Sequence, residues 1–484
     1  MKKSNKSRRN FIKNGILASS LTIIPRNVLG GVDFISPSDQ LNIASIGAGG
    51  KGRSDILNAS VNGRERVIAL CDIDKNGKHG VLASRKKFSK ANFYFDFRKL
   101  LDKEKDLDAI TISTPDHTHA SIAMEAMERG IHVYIQKPLT HNIKEARLLT
   151  EKARELKIVT QMGNQGASNP SQIKVKEWID KGLIGFVSVS DVKVWTNRPV
   201  WPQGIVRPKP APEKIPDEFN WNQWLGPAPF TEFNPNMHPF NWRGWWDYGT
   251  GALGDMGCHI IDIPFRALEL RYPTAVECSV GNVFTKMWEA EYIPEGCPPS
   301  SSVTIDFDST DKNKTPLKMV WTDGGIRPSH PDIIPPDEDL GEKGGGNGVM
   351  MIGDKGIITT GTYGMGPKLY IKGGETISYK APIDLNPEPE FGHQRKWIDA
   401  IKAGFNSNEH KALTSSFDYA GPLTETVLMG NIAIRTYLLR EGKGRSMNYY
   451  GRKKLLWNGN KMEITNLKQA NQFVTRNYRK GWEL

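Results

Sequence analysis

Short apolar runs alternate with stretches of helical spacing along the first third of the chain. The runs that predict buried strands cover residues 41–46, 67–71, 109–114 and 131–135. Stretches of helical spacing predict three helices. The first follows the glycines at residues 47–52 and runs through Ser60, and the others cover residues 120–129 and 143–156. Strands that alternate with helices form a parallel sheet with helices on both faces, so the pattern predicts an α/β domain over residues 41–165.

The pattern changes after about residue 165, where prolines and tryptophans become dense. Ten of the 30 prolines lie between Pro199 and Pro239, and seven of the 13 tryptophans lie between Trp195 and Trp246. This composition predicts an irregular, aromatic-rich segment. Strand-like and helix-like runs return later, at residues 301–307, 317–321, 356–360 and 423–439. We therefore expect a second domain over residues 166–450 and a tail over residues 451–484 that packs back on the body.

A glycine-rich turn follows the first predicted strand. Gly47, Gly49 and Gly52 match the G-x-G-x-x-G pattern between a strand and a helix, and Gly50 lies in the same turn. These glycines allow a tight turn, close approach of the backbone to a pyrophosphate and close helix–strand packing. Asp72 ends the second strand, where an acid accepts hydrogen bonds from a ribose diol and repels a 2′-phosphate. The pattern predicts a Rossmann domain that binds NAD in preference to NADP.

The net charge of +12 first suggests an acidic partner such as nucleic acid. Residues 1–31, however, contain seven basic residues and no acidic one, which leaves +5 for the remaining chain. Arg8 and Arg9 precede x-Phe-Ile-Lys and an apolar run at residues 16–24, which resembles a twin-arginine export signal. The run is shorter than the ~20 residues that span a membrane. We expect an exported, periplasmic protein with no membrane span and no nucleic-acid partner.

Four segments together resemble the Gfo/Idh/MocA oxidoreductase family, which includes glucose–fructose oxidoreductase and inositol dehydrogenase. They are the glycine turn, T-P-D-H-T-H at residues 114–119, Q-K-P at residues 136–138 and G-A-L-G-D-M-G-C-H at residues 251–259. The resemblance implies a Rossmann domain followed by an α/β domain with an open, mostly antiparallel sheet, and it implies homo-oligomers that pair through that sheet. It also implies cofactor contacts from five residues: Thr114, Pro115, His119, Gln136 and Lys137. Gln136 replaces the usual glutamate of the family, and an amide cannot pair electrostatically with Lys137.

Oxidation of a secondary alcohol needs a base for the hydroxyl proton, a group that orients the oxygen and a hydride acceptor. His259 is the predicted base because imidazole titrates near neutral pH. Asp255 lies four residues earlier, so on a helix both side chains project from one face. The resemblance places Lys137 beside the nicotinamide ribose and the substrate oxygen. The predicted catalytic group is therefore Lys137, Asp255 and His259. No Cys/His set has the spacing of zinc ligands, so no metal is expected.

Two interpretations apply to the tryptophans around residues 195–246. They pack a core and its loops, or they form a platform on which the apolar face of a sugar ring stacks. Residues 242–247 run into the catalytic segment, so Trp242, Arg243 and Asp247 are the predicted substrate contacts. Asn164 and Gln165, just after the cofactor domain, are predicted to bind sugar hydroxyls as well.

Three functions remain open at this point. The first is an NAD-dependent oxidoreductase that oxidises a secondary hydroxyl of a sugar, glycoside or polyol. Because NAD is scarce outside the cytoplasm, an exported enzyme of this kind must hold its cofactor tightly. The second is an NAD-dependent glycosidase, which oxidises a hydroxyl, eliminates the glycosidic oxygen, adds water and reduces the ketone. The third is a non-catalytic carbohydrate-binding protein that contains NAD.

Overall fold

A computed structural model describes residues 39–484, apart from residues 62, 78, 186–190, 201–210, 236 and 383–388. The expected export signal at residues 1–31 lies outside the described residues. Within the described part of the chain, no helix is long and apolar enough to cross a membrane. Residues 42–484 form one compact unit, and its described residues contain two large sheets and one two-stranded hairpin.

The first sheet has six strands in the order β3-β2-β1-β4-β5-β6, and every neighbouring pair is parallel. This is the strand order of a doubly wound dinucleotide-binding fold. The strands are β1 (Asn42–Ile46), β2 (Arg66–Cys71), β3 (Asn92–Tyr94), β4 (Ala109–Ile112), β5 (His132–Ile135) and β6 (Thr160–Met162). The connecting helices are α1 (Gly50–Ser60), α2 (Leu82–Lys87), α3 (Phe97–Lys103), α4 (His119–Met127) and α5 (Ile143–Glu155).

The strand that the sequence predicted over residues 109–114 ends at Ile112. The amide of Ser113 still donates to the carbonyl of Ile46 at 2.9 Å, but Pro115 lacks an amide hydrogen and cannot continue the ladder. All four residues of β4 are buried, because helices cover both faces of the sheet. The chain therefore leaves the sheet at its carboxyl-terminal edge, next to the glycine turn.

The second sheet has ten strands in the order β16-β15-β14-β13-β7-β12-β11-β8-β17-β18. Among the described strands of this sheet only β7 and β12 pair in parallel, so the sheet is mostly antiparallel. Its long strands are β7 (Asp191–Trp195), β8 (Ala275–Val280), β11 (Ser301–Phe307), β12 (Leu317–Thr322), β13 (Gly348–Ile352), β14 (Gly356–Thr360), β15 (Lys368–Ile371) and β17 (Leu455–Asn458). The short ones are β16 (Thr376–Ser378) and β18 (Glu463–Ile464), and β9 (Phe284–Lys286) and β10 (Glu289–Ala290) form a separate hairpin. The predicted fold class is confirmed.

Helices of the second domain are α6 (Pro170–Asp180), α7 (Trp221–Leu225), α8 (Cys258–Ile260), α9 (Asp262–Ala267), α10 (His393–Ala403), α11 (Asn408–Lys411) and α12 (Phe417–Tyr437). Helix α12 packs between α5 and strands of the larger sheet, and it is buried along most of its length. It therefore joins the two sheets into one core. After β18, the chain returns to the first sheet, where Trp482 packs against Phe97.

Candidate active site

The glycine turn between β1 and α1 has the geometry that a pyrophosphate requires. Gly47 has a φ of +75°, which L side chains rarely adopt. A Cβ on Gly52 would lie 1.8 Å from the carbonyl oxygen of Gly47, and one on Gly49 would lie 2.4 Å from that of His79. Any side chain at these positions would fill the turn. The turn thus leaves its backbone open to a ligand at the amino-terminal end of α1, which fits the phosphates of NAD.

Asp72 lies at the carboxyl end of β2, beside this turn. Its Oδ2 accepts a hydrogen bond from the Gly49 amide at 2.7 Å, and its Oδ1 accepts one from the Asp74 amide at 3.0 Å. Burial raises the pKa of Asp72 to about 6, although these amide donors oppose the change. The carboxylate therefore lies beside the glycine turn, at the strand end where the sequence predicted a ribose contact.

One cavity runs along the glycine turn and contains several of the predicted cofactor residues. Its wall on the side of the first sheet includes Gly47, Gly49, Gly50, Asp72, Thr114 and Pro115. Other lining residues come from the second domain and from the end of the chain: Trp224, His238, Phe240, Trp242, Arg243 and Trp482. The cleft is thus enclosed by residues far apart in sequence.

His119 is not among the residues that line this cavity. It is fully buried, and its two ring nitrogens lie 2.9 Å from the carbonyl oxygens of Thr114 and Pro138. The ring thus links the turn after β4 to the peptide that carries Lys137. In this structure His119 holds two cofactor-side loops together.

Gln136 faces Asp55 on helix α1. Its Nε2 donates to Asp55 Oδ2 at 2.9 Å, and Ser113 and Gln394 donate to the same carboxylate at 2.8 and 3.0 Å. Lys51 completes the set, with its Nζ 2.9 Å from Asp55 Oδ1. The amide at position 136 is therefore explained by its neighbour: a glutamate there would place a second carboxylate against the fully buried Asp55.

Lys137 and Asp255 meet across the two domains. The Nζ of Lys137 donates to the Asp255 backbone oxygen at 2.5 Å and to its Oδ1 at 3.1 Å. Arg243 and Arg198 also contact the carboxylate, at 3.3 and 3.1 Å. Burial alone would raise the pKa of Asp255, but these three cations hold it well below its ordinary value. Asp255 is therefore an ionised anchor for three positive groups.

His259 lies on helix α8, directly after a π-helical turn over Leu253–Gly257 that carries Asp255. Wide turns of this kind occur often at functional sites. Burial and the charge of Lys137 hold the pKa of His259 well below its ordinary value, so the ring is neutral at neutral pH. Its Nδ1 is buried and has no hydrogen-bond partner among the described residues, and the ring packs edge-on against Tyr363. A neutral imidazole of this kind can accept a proton.

Asn164 and Gln165 follow β6 at the same edge of the sheet. Asn164 is fully buried, yet neither its Oδ1 nor its Nδ2 has a hydrogen-bond partner among the described residues. The Oε1 of Gln165 is also without one there. The turn over Gln165–Ser168 packs against α8, which carries His259, and against the turn that holds Tyr363. Buried amides without partners are rare, and these polar atoms remain able to hydrogen-bond a ligand.

The three predicted contacts in residues 242–247 separate in the structure. Trp242 and Arg243 line the cofactor cavity, and the guanidinium of Arg243 lies 4.2 Å from the Trp242 ring centroid. Asp247 is exposed and is not part of that cavity lining. Trp242 is buried in an aromatic cluster, which favours the packing interpretation over an open sugar platform.

Three groups near the site were not predicted from the sequence. Arg198 contacts Asp255, Asp55 gathers the donors around Gln136, and Tyr363 packs on His259. None of the three belongs to one of the four segments that carry the family resemblance. Lys51, within the glycine turn, pairs with Glu390 at 2.6 Å. Among the described residues, no group of three or more His, Cys, Asp or Glu side chains is arranged to hold a metal ion.

A Rossmann domain with an open glycine turn, completed by a second α/β domain, defines a two-domain dinucleotide-binding protein. Residues 41–164 match the model of the NAD-binding Rossmann fold of the Gfo/Idh/MocA oxidoreductases, and residues 169–277 match that of their C-terminal alpha/beta domain. These two matches confirm the predicted family resemblance and the predicted NAD-binding Rossmann domain.

Individual relatives resemble parts of the chain. A levoglucosan dehydrogenase of Pseudarthrobacter phenanthrenivorans is 26% identical over 179 residues, 37% of each chain. A glycosyl hydrolase family 109 protein of Solibacter usitatus is 33% identical over 152 residues, 29% of this chain and 34% of that protein. The chain thus spans about a third of the length of these curated relatives.

A solved structure of levoglucosan dehydrogenase in complex with NADH and L-sorbose has a similar fold. It superposes with a TM-score of 0.55 at 16% identity, and the match covers 82% of this chain and 96% of that one. At this level of identity the likeness supports the two-domain architecture.

Proposed function

We propose that the protein is an NAD-dependent oxidoreductase that oxidises a secondary hydroxyl of a sugar, glycoside or polyol. The observation that carries this proposal is the meeting of Lys137 with Asp255, next to the neutral His259. One member of this group comes from the cofactor domain and two come from the second domain. A reacting alcohol held between the domains would reach both the base and the cofactor.

NAD, when bound in the cleft, supplies the hydride acceptor. His259 takes the hydroxyl proton, because its lowered pKa keeps the ring neutral and able to accept. An ammonium group has three N–H donors, and Lys137 directs two of them to Asp255. The third is available to orient the substrate oxygen and to stabilise negative charge on it. Asp255 thus positions Lys137 rather than acting as a base.

The substrate contacts that we propose are Asn164, Gln165 and Arg198. Both amides have unpartnered atoms at the carboxyl edge of the sheet, and such groups suit the hydroxyls of a sugar. The side chain of Arg198 is 54% exposed while it holds Asp255, so it borders both the solvent and the catalytic group. Amides and a guanidinium give a polar pocket, which favours a polyhydroxylated substrate over an apolar alcohol.

A second candidate is the NAD-dependent glycosidase. The observation that favours it is the 33% identity to a glycosyl hydrolase family 109 protein over residues that this chain shares with it. The same base and lysine would serve its oxidation and reduction steps. The third possibility, a non-catalytic NAD-containing carbohydrate-binding protein, does not account for a neutral His259 beside Lys137.

The experiment starts from the purified full chain. The protein is denatured, the released nucleotide is identified with its redox state, and sugars, polyols and chromogenic glycosides are then screened. Net NADH formation with one substrate supports the dehydrogenase. Release of the aglycone without net NADH, together with solvent deuterium at C2, supports the glycosidase. Binding of glycosides without any turnover would favour the non-catalytic protein.

We further propose that the protein is exported to the periplasm by the twin-arginine route with its NAD already bound. The support is the sequence of residues 1–31, with paired Arg8 and Arg9 before a short apolar run. Replacing both arginines by lysine should leave the protein in the cytoplasmic fraction. An unchanged periplasmic yield would contradict this route.

We also propose a homo-oligomer that pairs through the larger sheet. Along β11, buried residues alternate with half-exposed ones, so one face of this strand is less covered than the other. A mass measured by light scattering of twice the 54.1 kDa of one chain, or of a higher multiple, would support an oligomer. A monomer at micromolar concentration would contradict it.

A further inference from the structure

The aromatic-rich segment forms a layer with a small core of its own. We define the aromatic cover as residues 218–248, apart from residue 236. Its buried apolar members form a cluster separate from the main core: Trp221, Trp224, Leu225, Ala228, Phe233, Trp242, Trp245 and Tyr248. The rings of Trp221 and Trp224 stack with their centroids 4.5 Å apart. The cover is therefore an ordered element rather than a loose loop.

The cover is attached to the first sheet directly beyond Asp72. The Asn220 amide donates to the carbonyl of Ile73 at 2.8 Å, and the Lys75 amide donates to that of Glu218 at 3.1 Å. The side chains of Lys75 and Glu218 also form an ion pair. This attachment holds one edge of the cover at the place predicted for the adenosine ribose.

The end of the chain holds the cover on its other side. The Arg479 amide donates to the carbonyl of Pro227 at 3.1 Å, and its guanidinium donates to the Asn222 carbonyl at 2.8 Å. Three residues later, Trp482 packs against Phe97, and the guanidinium of Arg98 lies 4.2 Å from the indole centroid. Trp482 also lines the cavity that contains the glycine turn.

Aromatic side chains from the cover and the tail thus share one cavity with the glycine turn. Trp224, Phe240, Trp242 and Trp482 line one cavity with Gly49 and Asp72. Phe240 is 50% exposed and can stack on the flat face of a purine, whereas the three tryptophans are buried and build the aromatic wall of the cavity. We propose that the aromatic cover and Trp482 complete the binding site for the adenosine half of NAD, and that the cofactor leaves only when the cover separates from residues 73–75. This inference rests on the proposed NAD-dependent function and assigns the residues that retain the cofactor.

The test measures the release of NADH from the full-length protein, without substrate. Bound NADH is followed by its fluorescence after addition of excess NAD. In Lys75→Glu the ion pair with Glu218 becomes a repulsion, and release should accelerate by about tenfold. The double variant Lys75→Glu/Glu218→Lys restores opposite charges, so its release rate should return towards that of the wild type. Arg479→Ala, which loosens the other side, should also accelerate release.

Lys176→Glu is the matched control. Lys176 pairs with Glu269 and Asp180, and its side chain is 33% exposed against 30% for Lys75. It lies on helix α6, outside the aromatic cover and outside the lining of the cavity, so the NADH release rate of this variant should equal that of the wild type. Equal release rates in the wild type, Lys75→Glu and Arg479→Ala would overturn the inference while leaving the proposed function intact. A wild-type protein that binds no NADH would overturn both.

Discussion

Lys137 and Asp255 are joined across the two domains by a pair of hydrogen bonds from one ammonium group. The Lys137 Nζ lies 2.5 Å from the Asp255 backbone oxygen and 3.1 Å from its Oδ1. Residue 137 follows β5 of the cofactor domain, whereas residue 255 lies in a π-helical turn of the second domain. The position of the lysine therefore depends on how the domains pack.

Replacing Lys137 by methionine should lower kcat by roughly 10²- to 10⁴-fold, since the donor to the substrate oxygen is lost. Methionine keeps most of the side-chain volume, and Asp255 retains Arg198 and Arg243 as partners. NADH affinity, measured by fluorescence titration, should change by less than about threefold. Wild-type turnover in this variant would remove Lys137 from the catalytic group.

His259 should set the acidic limb of the pH profile of kcat. Burial and the charge of Lys137 lower its pKa well below the ordinary value, so the ring stays neutral as the pH falls through 6. We expect kcat to remain flat from pH 8 down to about 6, because a base with a lowered pKa protonates only at lower pH. The measurement uses saturating substrate and cofactor. An acidic limb centred near 6.5 would indicate an ordinary, solvated histidine.

Asp72 should make NAD binding depend on pH. Because its pKa in the ligand-free protein is about 6, the carboxylate is ionised above that pH and protonated below it. A ribose diol donates to the ionised form, so affinity should weaken as the pH falls below 6, by up to about tenfold per pH unit. In Asp72→Asn the affinity should be lower at pH 7.5 and should not vary over this range. Equal pH dependence in both proteins would contradict the assignment.

Asn164→Leu should separate a ligand-binding role from a structural one. The buried amide has no partner among the described residues, and an unsatisfied buried polar group costs about 1–3 kcal/mol. The free energy of unfolding should therefore stay equal or rise, while kcat/KM falls by roughly tenfold or more. Asn169→Leu is the contrasting variant, because Asn169 donates to Tyr363 and caps α6. It should lose stability, and the same loss in Asn164→Leu would indicate a structural role.

Gln136→Glu should destabilise the fold. The new carboxylate would face Asp55 and would lose the 2.9 Å hydrogen bond that the amide donates to it. We expect a loss of about 2–4 kcal/mol in the free energy of unfolding, since one of two buried acids must stay protonated. The double variant Gln136→Glu/Asp55→Asn exchanges the two groups and should recover part of the loss. If the single variant unfolds like the wild type in urea, the contact is not energetically important.

Local pattern predicted most of the first domain. The strand at residues 42–46, the glycine turn and helix α1 all follow from the sequence, because a buried parallel strand reads as a short apolar run and a tight turn needs glycine. The strand Ser301–Phe307 was also predicted at its observed bounds. The ten-strand order was not, since the partners of β7 come from residues 317–322 and 348–352, and no local pattern encodes such pairings.

The sequence by itself therefore determined the fold class, the family and the position of the NAD-binding turn, because these depend on short patterns of glycine, apolar and acidic residues. Only the tertiary structure decided that Asp55 explains the amide of Gln136, that Arg198 reaches Asp255 and that Trp242 faces the cofactor cleft. The contacts Asp55–Gln136, Arg198–Asp255 and Lys137–Asp255 join residues 57 to 118 positions apart. They arise from the packing of whole domains, whose free energy is spread over many residues and leaves no motif at any one of them.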